Sequence, residues 1–319
     1  MILSIFLLLV GLGILIVGGE SLVRGASSIA KRLKVAPIVI GLTIVAFGTS
    51  APELAVNLFS AFQGSTDIAI GNIIGSNIAN ILLILGICAM MRTIRVQKNT
   101  VWKEIPLALL AVLLVFVMAH DRILDGGTTD ALTRTDGLAL MGIFAIFLYY
   151  TFGIAKVSGE ADKDEVKLYS TPISTLLIIG GLAGLVFGGK ILVDNAIVLA
   201  QLAGMSEALI GLTIVAVGTS LPELVTSIIA VRHGQDDLAV GNIVGSNIFN
   251  ILWILGLTAS ILPLPISPAG QIDVLVNIGA TLLLFFFMFI GTKHRLNRWQ
   301  GLMFVLIYVG YVGYLVMRG

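Results

Sequence analysis

Two stretches of this chain repeat almost letter for letter at a fixed distance. Residues 40–54 read IGLTIVAFGTSAPEL and residues 210–224 read IGLTIVAVGTSLPEL, identical at 13 of 15 positions. Residues 71–86, GNIIGSNIANILLILG, match 241–256, GNIVGSNIFNILWILG, at 13 of 16. The offset is 170 in both cases, without a gap, and Gly18 and Gly19 recur as Gly188 and Gly189. Self-similarity at one period constrains architecture before any local reading does. The agreement concentrates on polar and helix-breaking residues, which apolar packing alone does not call for.

The medium follows from composition. The chain is 57% hydrophobic and 12% charged over 319 residues, whereas soluble domains sit at about 45–50% apolar and about 25% charged. No soluble core could hide this much apolar surface, so lipid must face much of it. A spanning helix takes about 20 apolar residues. Such runs fall at roughly 2–19, 36–62, 68–91, 104–120, 136–154, 172–200, 207–231, 238–262, 271–290 and 299–317. Open backbone amides are not tolerated in lipid, so each run is predicted to be a helix. The first lacks a basic leader and an Ala-x-Ala cleavage site, and it reads as a retained span and not a signal peptide.

Ten spans divided by the repeat give five per half. An odd number makes the second half enter the membrane from the opposite face. The predicted fold is therefore an all-α membrane protein of ten transmembrane helices in two inverted five-helix repeats. They cover 1–154 and 171–319, joined by a polar linker at 155–170. Inverted repeats place the substrate site near mid-bilayer, where broken helices meet.

Fifteen of the nineteen Lys and Arg residues fall in the connections on one side. Arg122, Arg134 and Arg318 lie on the other, and Lys190 lies within a span. The positive-inside bias makes 92–103 and 155–170 cytoplasmic, 121–135 external, and both termini external, in the cell membrane. Glu20 with Arg24 and Lys190 with Asp194 stand at i,i+4, the spacing of intrahelical ion pairs. The net charge of +1 argues neither for nor against nucleic acid, and no nucleic-acid partner is expected. The single cysteine, Cys88, excludes a disulfide framework and a cysteine metal site. His120, His233 and His294 all fall in connections and no nucleophile–base pair is visible, so neither an enzyme nor a cofactor is expected, and no protein partner is evident.

The chemistry sits in the repeat. In GTSAPE, 48–53, Pro52 lacks an N–H and its ring clashes with the carbonyl of Gly48. The helix should break there, with Ser50 or Ala51 near the new N-cap and Pro52 near the first position. Carbonyls from Ala46 to Thr49 should lose partners, which is tolerated at membrane depth only beside a cavity or ligand. Glu53 then falls in the first turn of the resumed helix, where the dipole favours a carboxylate. GTSLPE, 218–223, repeats this with Gly218, Pro222 and Glu223. Ionisable groups at such depth face a partner or an ion path. Asn72, Ser76 and Asn80, spaced by four, form a polar stripe matched by Asn242, Ser246 and Asn250. Gly71 and Gly75 allow close helix approach. The combined donors are oxygens only, which suits Ca2+ and Na+ better than softer metals.

The paired GTSxPE and GNxxGSNxxN motifs resemble the two alpha-repeats of the Na+/Ca2+ exchanger family, within the wider cation/Ca2+ antiporters, and the match covers the whole chain. The resemblance implies a secondary antiporter with transported Ca2+ and Na+. It implies that spans 2, 3, 7 and 8 form the site while spans 1 and 6 slide to give alternating access. It implies that Glu53 and Glu223, with the carbonyls of Thr49 and Thr219, hold Ca2+. Na+ sites would add Ser50, Ser220, Ser76, Ser246 and the carbonyls of Ala46 and Ala216, and Asn80 and Asn250 would line the centre. Family members often carry Asp at one of those last two positions; here both are Asn. The family's large cytoplasmic regulatory domain has no counterpart. A H+/Ca2+ exchanger and, further off, a cation channel could use the same ligands.

Overall fold

The structure is a computed structural model and describes residues 1–124, 126, 129–155, 167–203 and 216–318. Twelve helices carry the description. They are α1 (Ile2–Leu33), α2 (Pro37–Thr49), α3 (Ala51–Phe62), α4 (Thr66–Met91), α5 (Lys98–Met118), α6 (Arg134–Ala155), α7 (Thr171–Leu202), α8 (Ala216–Thr219), α9 (Leu221–Arg232), α10 (Asp236–Ile261), α11 (Pro268–Phe287) and α12 (Arg298–Arg318).

Among the described residues eight helices are long and apolar enough to cross a membrane, and the bent pair α2 plus α3 makes a ninth. Helices α8 and α9 stand where the run 207–231 was expected, and its first residues, 207–215, lie outside the described residues. The first run was underestimated. It was expected to end near residue 19, but α1 continues to Leu33. Arg24, Lys31 and Arg32 therefore occupy its last turns and not a loop. The extension is buried at Leu22, Val23 and Gly25 to Ala30 and packs on α7, where Gly25 meets Ser174 and Ile178; the Glu20–Arg24 pair at 2.6 Å adds a smaller contribution along the helix.

The centre of the molecule is set by α4 and α10. The apolar windows of these two helices are 78% and 94% buried, against 22–39% for the other six long helices. Around them, α1 and α7 run side by side with backbones almost in contact. A methyl added to Gly18 would sit 2.8 Å from the Leu185 backbone nitrogen, and one added to Gly181 would sit 2.6 Å from that of Leu22. Glycine at these points permits the close approach that drives association of helices in lipid. Gly241 and Gly245 do the same for α10 against α2, at Ile38 and Leu42.

The flanking helices are tied by part-buried polar contacts. The Tyr150 hydroxyl of α6 donates to Glu104 of α5 at 2.6 Å. Arg318 of α12 donates to both carboxylate oxygens of Asp273 on α11, at 2.9 and 3.0 Å, and the Tyr311 hydroxyl donates to the same group. Two antiparallel bridges close the ends. Strand β1 (Ile94–Arg95) pairs with β4 (Arg295–Leu296), and β2 (Ala131–Leu132) pairs with β3 (Leu264–Pro265). Each bridge joins the first half of the chain to the second.

Candidate functional site

The break predicted at Pro52 is present. Helices α2 and α3 meet at 44°, and Ser50, with φ −83° and ψ 8°, is the cap between them. Pro52 lies in the first two positions of α3 and Glu53 in its first turn. The second copy breaks at Ser220, with φ −87° and ψ 7°, and Glu223 lies in the first turn of α9. One expectation needs correction. The Ala46 carbonyl does not lose its partner, because the Ser50 N–H donates to it at 3.0 Å and the Thr49 hydroxyl approaches at 3.4 Å. The chain turns at Ser50 tightly enough to keep that bond, and a carbonyl's second lone pair stays available.

Both carboxylates are fully buried. Among the described residues every ion pair lies elsewhere, so neither has a basic partner. Hydroxyls hold one oxygen of each. Ser76 and Ser220 donate to Glu53 Oε1 at 3.3 and 3.4 Å. Ser246 and Ser50 donate to Glu223 Oε1 at 3.2 and 3.0 Å. Each carboxylate thus draws one serine from its own half of the chain and one from the other. The remaining oxygens, Glu53 Oε2 and Glu223 Oε2, are buried without a hydrogen-bond partner.

The polar stripes support these helix breaks. Asn72 Nδ2 donates to the Glu53 carbonyl at 3.3 Å, and Asn242 Nδ2 to the Glu223 carbonyl at 3.4 Å. Their side-chain oxygens accept from the threonines of the opposite half, Thr219 to Asn72 at 3.3 Å and Thr49 to Asn242 at 3.0 Å. One turn beyond the serines, each helix widens into a π-helical segment, Ala79–Leu85 and Phe249–Leu255. Such insertions recur at functional sites. Asn80 and Asn250 stand at the start of these segments, and their Oδ1 atoms are also buried without a partner.

The structure therefore gathers Glu53, Ser76 and Ser220 in one cluster and Glu223, Ser50, Ser246 and Thr49 in another. Thr219 joins through Asn72. Ala216 opens α8, directly after residues outside the described set. The sequence reading passed over Asn77 and Asn247, which sit between the two central helices and bond across to each other. Their signal was available, since both are shared by the two copies and polar in an apolar run.

Two buried carboxylates without a basic partner, four buried oxygen acceptors without donors, and hydroxyl and carbonyl oxygens around them form a hard-oxygen donor set. The family model described as sodium/calcium exchanger protein matches residues 3–153 and 173–317. This chain belongs to that family. Among curated relatives, the exchanger-family chain is 41% identical over 321 residues to a putative antiporter, CaxA, of Alkalimonas amylolytica, covering 98% of both. It is 33% identical over 346 residues to the sodium/calcium exchanger MaX1 of Methanosarcina acetivorans, covering 97% of both. Among solved structures, the sodium-calcium exchanger NCX_Mj, soaked with Na+ and Sr2+, superposes with a TM-score of 0.84 at 33% identity, over 98% of each chain. The exchanger fold is thus that of an integral, multi-pass membrane protein.

Proposed function

We propose that this protein is a secondary active antiporter that exchanges Ca2+ for Na+ by alternating access. The observation that carries the reading is the pair Glu53 and Glu223. Each is fully buried, has one oxygen held by two serines, and has the other oxygen free of any donor. A lone carboxylate at that depth is costly, and two of them balance one Ca2+. In this reading Glu53, Glu223 and the carbonyls of Thr49 and Thr219 hold Ca2+. Ser50, Ser220, Ser76, Ser246 and the carbonyls of Ala46 and Ala216 complete the Na+ sites, and Asn80 and Asn250 line the centre.

The reading includes ten spans in two inverted halves, 1–154 and 171–319, with a cytoplasmic linker at 155–170 and external termini in the cell membrane. The reciprocal bonding of each glutamate to a serine of the other half supports the two-fold relation. Helices α1 and α7, locked together by glycine contacts, are the elements that slide. Purified protein in liposomes tests the function: an outward Na+ gradient should drive 45Ca uptake. Uptake that follows a pH gradient without Na+ would replace the reading by H+/Ca2+ exchange, and uptake without any counter-gradient would replace it by a channel.

A further inference from the structure

Asn77 and Asn247 occupy the seam between α4 and α10, and their bonds run in one direction. Asn77 Nδ2 donates to the Asn247 backbone carbonyl at 3.1 Å, and Asn247 Nδ2 donates to the Asn77 carbonyl at 3.3 Å. A backbone carbonyl can only accept, so the atom of each side chain facing it has to be the nitrogen. The two ends of these amides are therefore assigned by hydrogen-bond chemistry.

That assignment propagates. With its nitrogen on the carbonyl, Asn77 turns Oδ1 the other way, and Asn250 Nδ2 donates to it at 2.9 Å. Asn250 must then turn its own Oδ1 away from Asn77, and that oxygen is buried without a partner. The mirror chain runs from the Asn77 carbonyl through Asn247 to Asn80, whose Nδ2 donates to Asn247 Oδ1 at 2.9 Å. Asn80 Oδ1 is likewise buried without a partner. All four asparagines are at most 4% exposed, so water does not compete for these bonds.

We infer that Asn77 and Asn247 are positioning residues that lock the amides of Asn250 and Asn80 with oxygen, and not NH2, turned toward the transported cation. The inference rests on the cation-site reading above and adds the residues that orient two of its ligands. A free amide can rotate by half a turn and offer donors, which repel a cation. The two backbone carbonyls prevent this because a flipped Asn77 or Asn247 would set oxygen against oxygen. The lock also requires a donor at the Nδ2 position of residues 80 and 250, which the neutral amide supplies permanently.

The test is a set of double-mutant cycles read by equilibrium 45Ca2+ binding to purified protein, with thermal unfolding as the folding control. Asn77→Ala and Asn250→Ala should each weaken Ca2+ binding by about threefold to tenfold, the net worth of one oriented bond. The double variant should bind no worse than Asn250→Ala, since without residue 250's amide there is nothing to orient. Asn77→Ala combined with Asn80→Ala should be additive, because Asn80 is oriented by Asn247. A residue that merely supports the helix pair would weaken both combinations alike. The mirror cycle of Asn247→Ala with Asn80→Ala decides the question if Asn77→Ala does not fold. Glu53→Gln separates the two ideas. If it binds Ca2+ as tightly as wild type, the cation-site reading fails. If it loses binding while both cycles are additive, the site stands and the positioning role is overturned.

Discussion

At the residue scale, the decisive contacts are those of two side chains. Glu53→Gln and Glu223→Gln should each abolish Ca2+ transport in proteoliposomes while the purified variants still unfold cooperatively. An amide keeps the volume and can still accept from the serines, but it removes one of the two charges proposed to balance Ca2+. Near wild-type exchange by either variant would exclude the central-site reading. Asn250→Asp probes the neutral centre. Asn250 Nδ2 donates to Asn77 Oδ1 at 2.9 Å, and an aspartate can do so only while it carries a proton. Flux of the variant relative to wild type should therefore fall as pH rises and the new carboxyl ionises, setting oxygen against oxygen. With two carboxylates at the centre among the described residues, wild-type Na+-driven Ca2+ flux should not require K+. A variant with an unchanged pH profile, or a wild type that stalls without K+, would show residue 250 to lie away from the ions.

At the scale of elements, the interesting unit is the pair α1 and α7. Their backbones approach so closely at Gly18 and Gly181 that any side chain must push the helices apart. Gly18→Val should cost about 1–3 kcal/mol, the usual range for overpacking, and should lower both the detergent unfolding temperature and transport. Gly13, on the same helix, has open space around its Cα, so Gly13→Ala should stay within about 0.5 kcal/mol of wild type. Equal effects of the two substitutions, measured by thermal unfolding, would rule out the interlock. The broken span was legible beforehand, because a proline four residues after a glycine forbids a regular turn. The π-helical segments at Asn80 and Asn250 were not, because no residue type in them demands one extra residue per turn.

At the scale of the whole molecule, the prediction is orientation. Cysteines placed at Lys98 and Thr129, in a chain with Cys88 replaced, should react with impermeant reagents from opposite sides of intact cells, with Thr129 outside. Labelling of both from one side would overturn the topology, and labelling of Lys98 from outside with Thr129 protected would invert it. Cys88 is buried, so the background substitution should be Cys88→Ala, a small apolar residue that fits the same space. The ends of the molecule are joined by β1 with β4 and β2 with β3, two-residue pairings too short to leave any period in the sequence.

The sequence by itself determined the medium, the two-copy plan, the helix breaks and the identity of the two glutamates. Each of these is encoded locally, in apolar run length, in repeated text, in a proline without an N–H, or in a charge that has no business in lipid. What only the tertiary structure decided are relations between distant residues. Ser50 serves Glu223 and Ser220 serves Glu53, an exchange no single copy of the motif can reveal. The length of α1, beyond the end of its apolar run, followed from packing against α7. The direction of the asparagine bonds followed from two backbone carbonyls that meet only when α4 and α10 are side by side. Hydrogen-bond polarity is a property of the pair, and a pair exists only once the chain is folded.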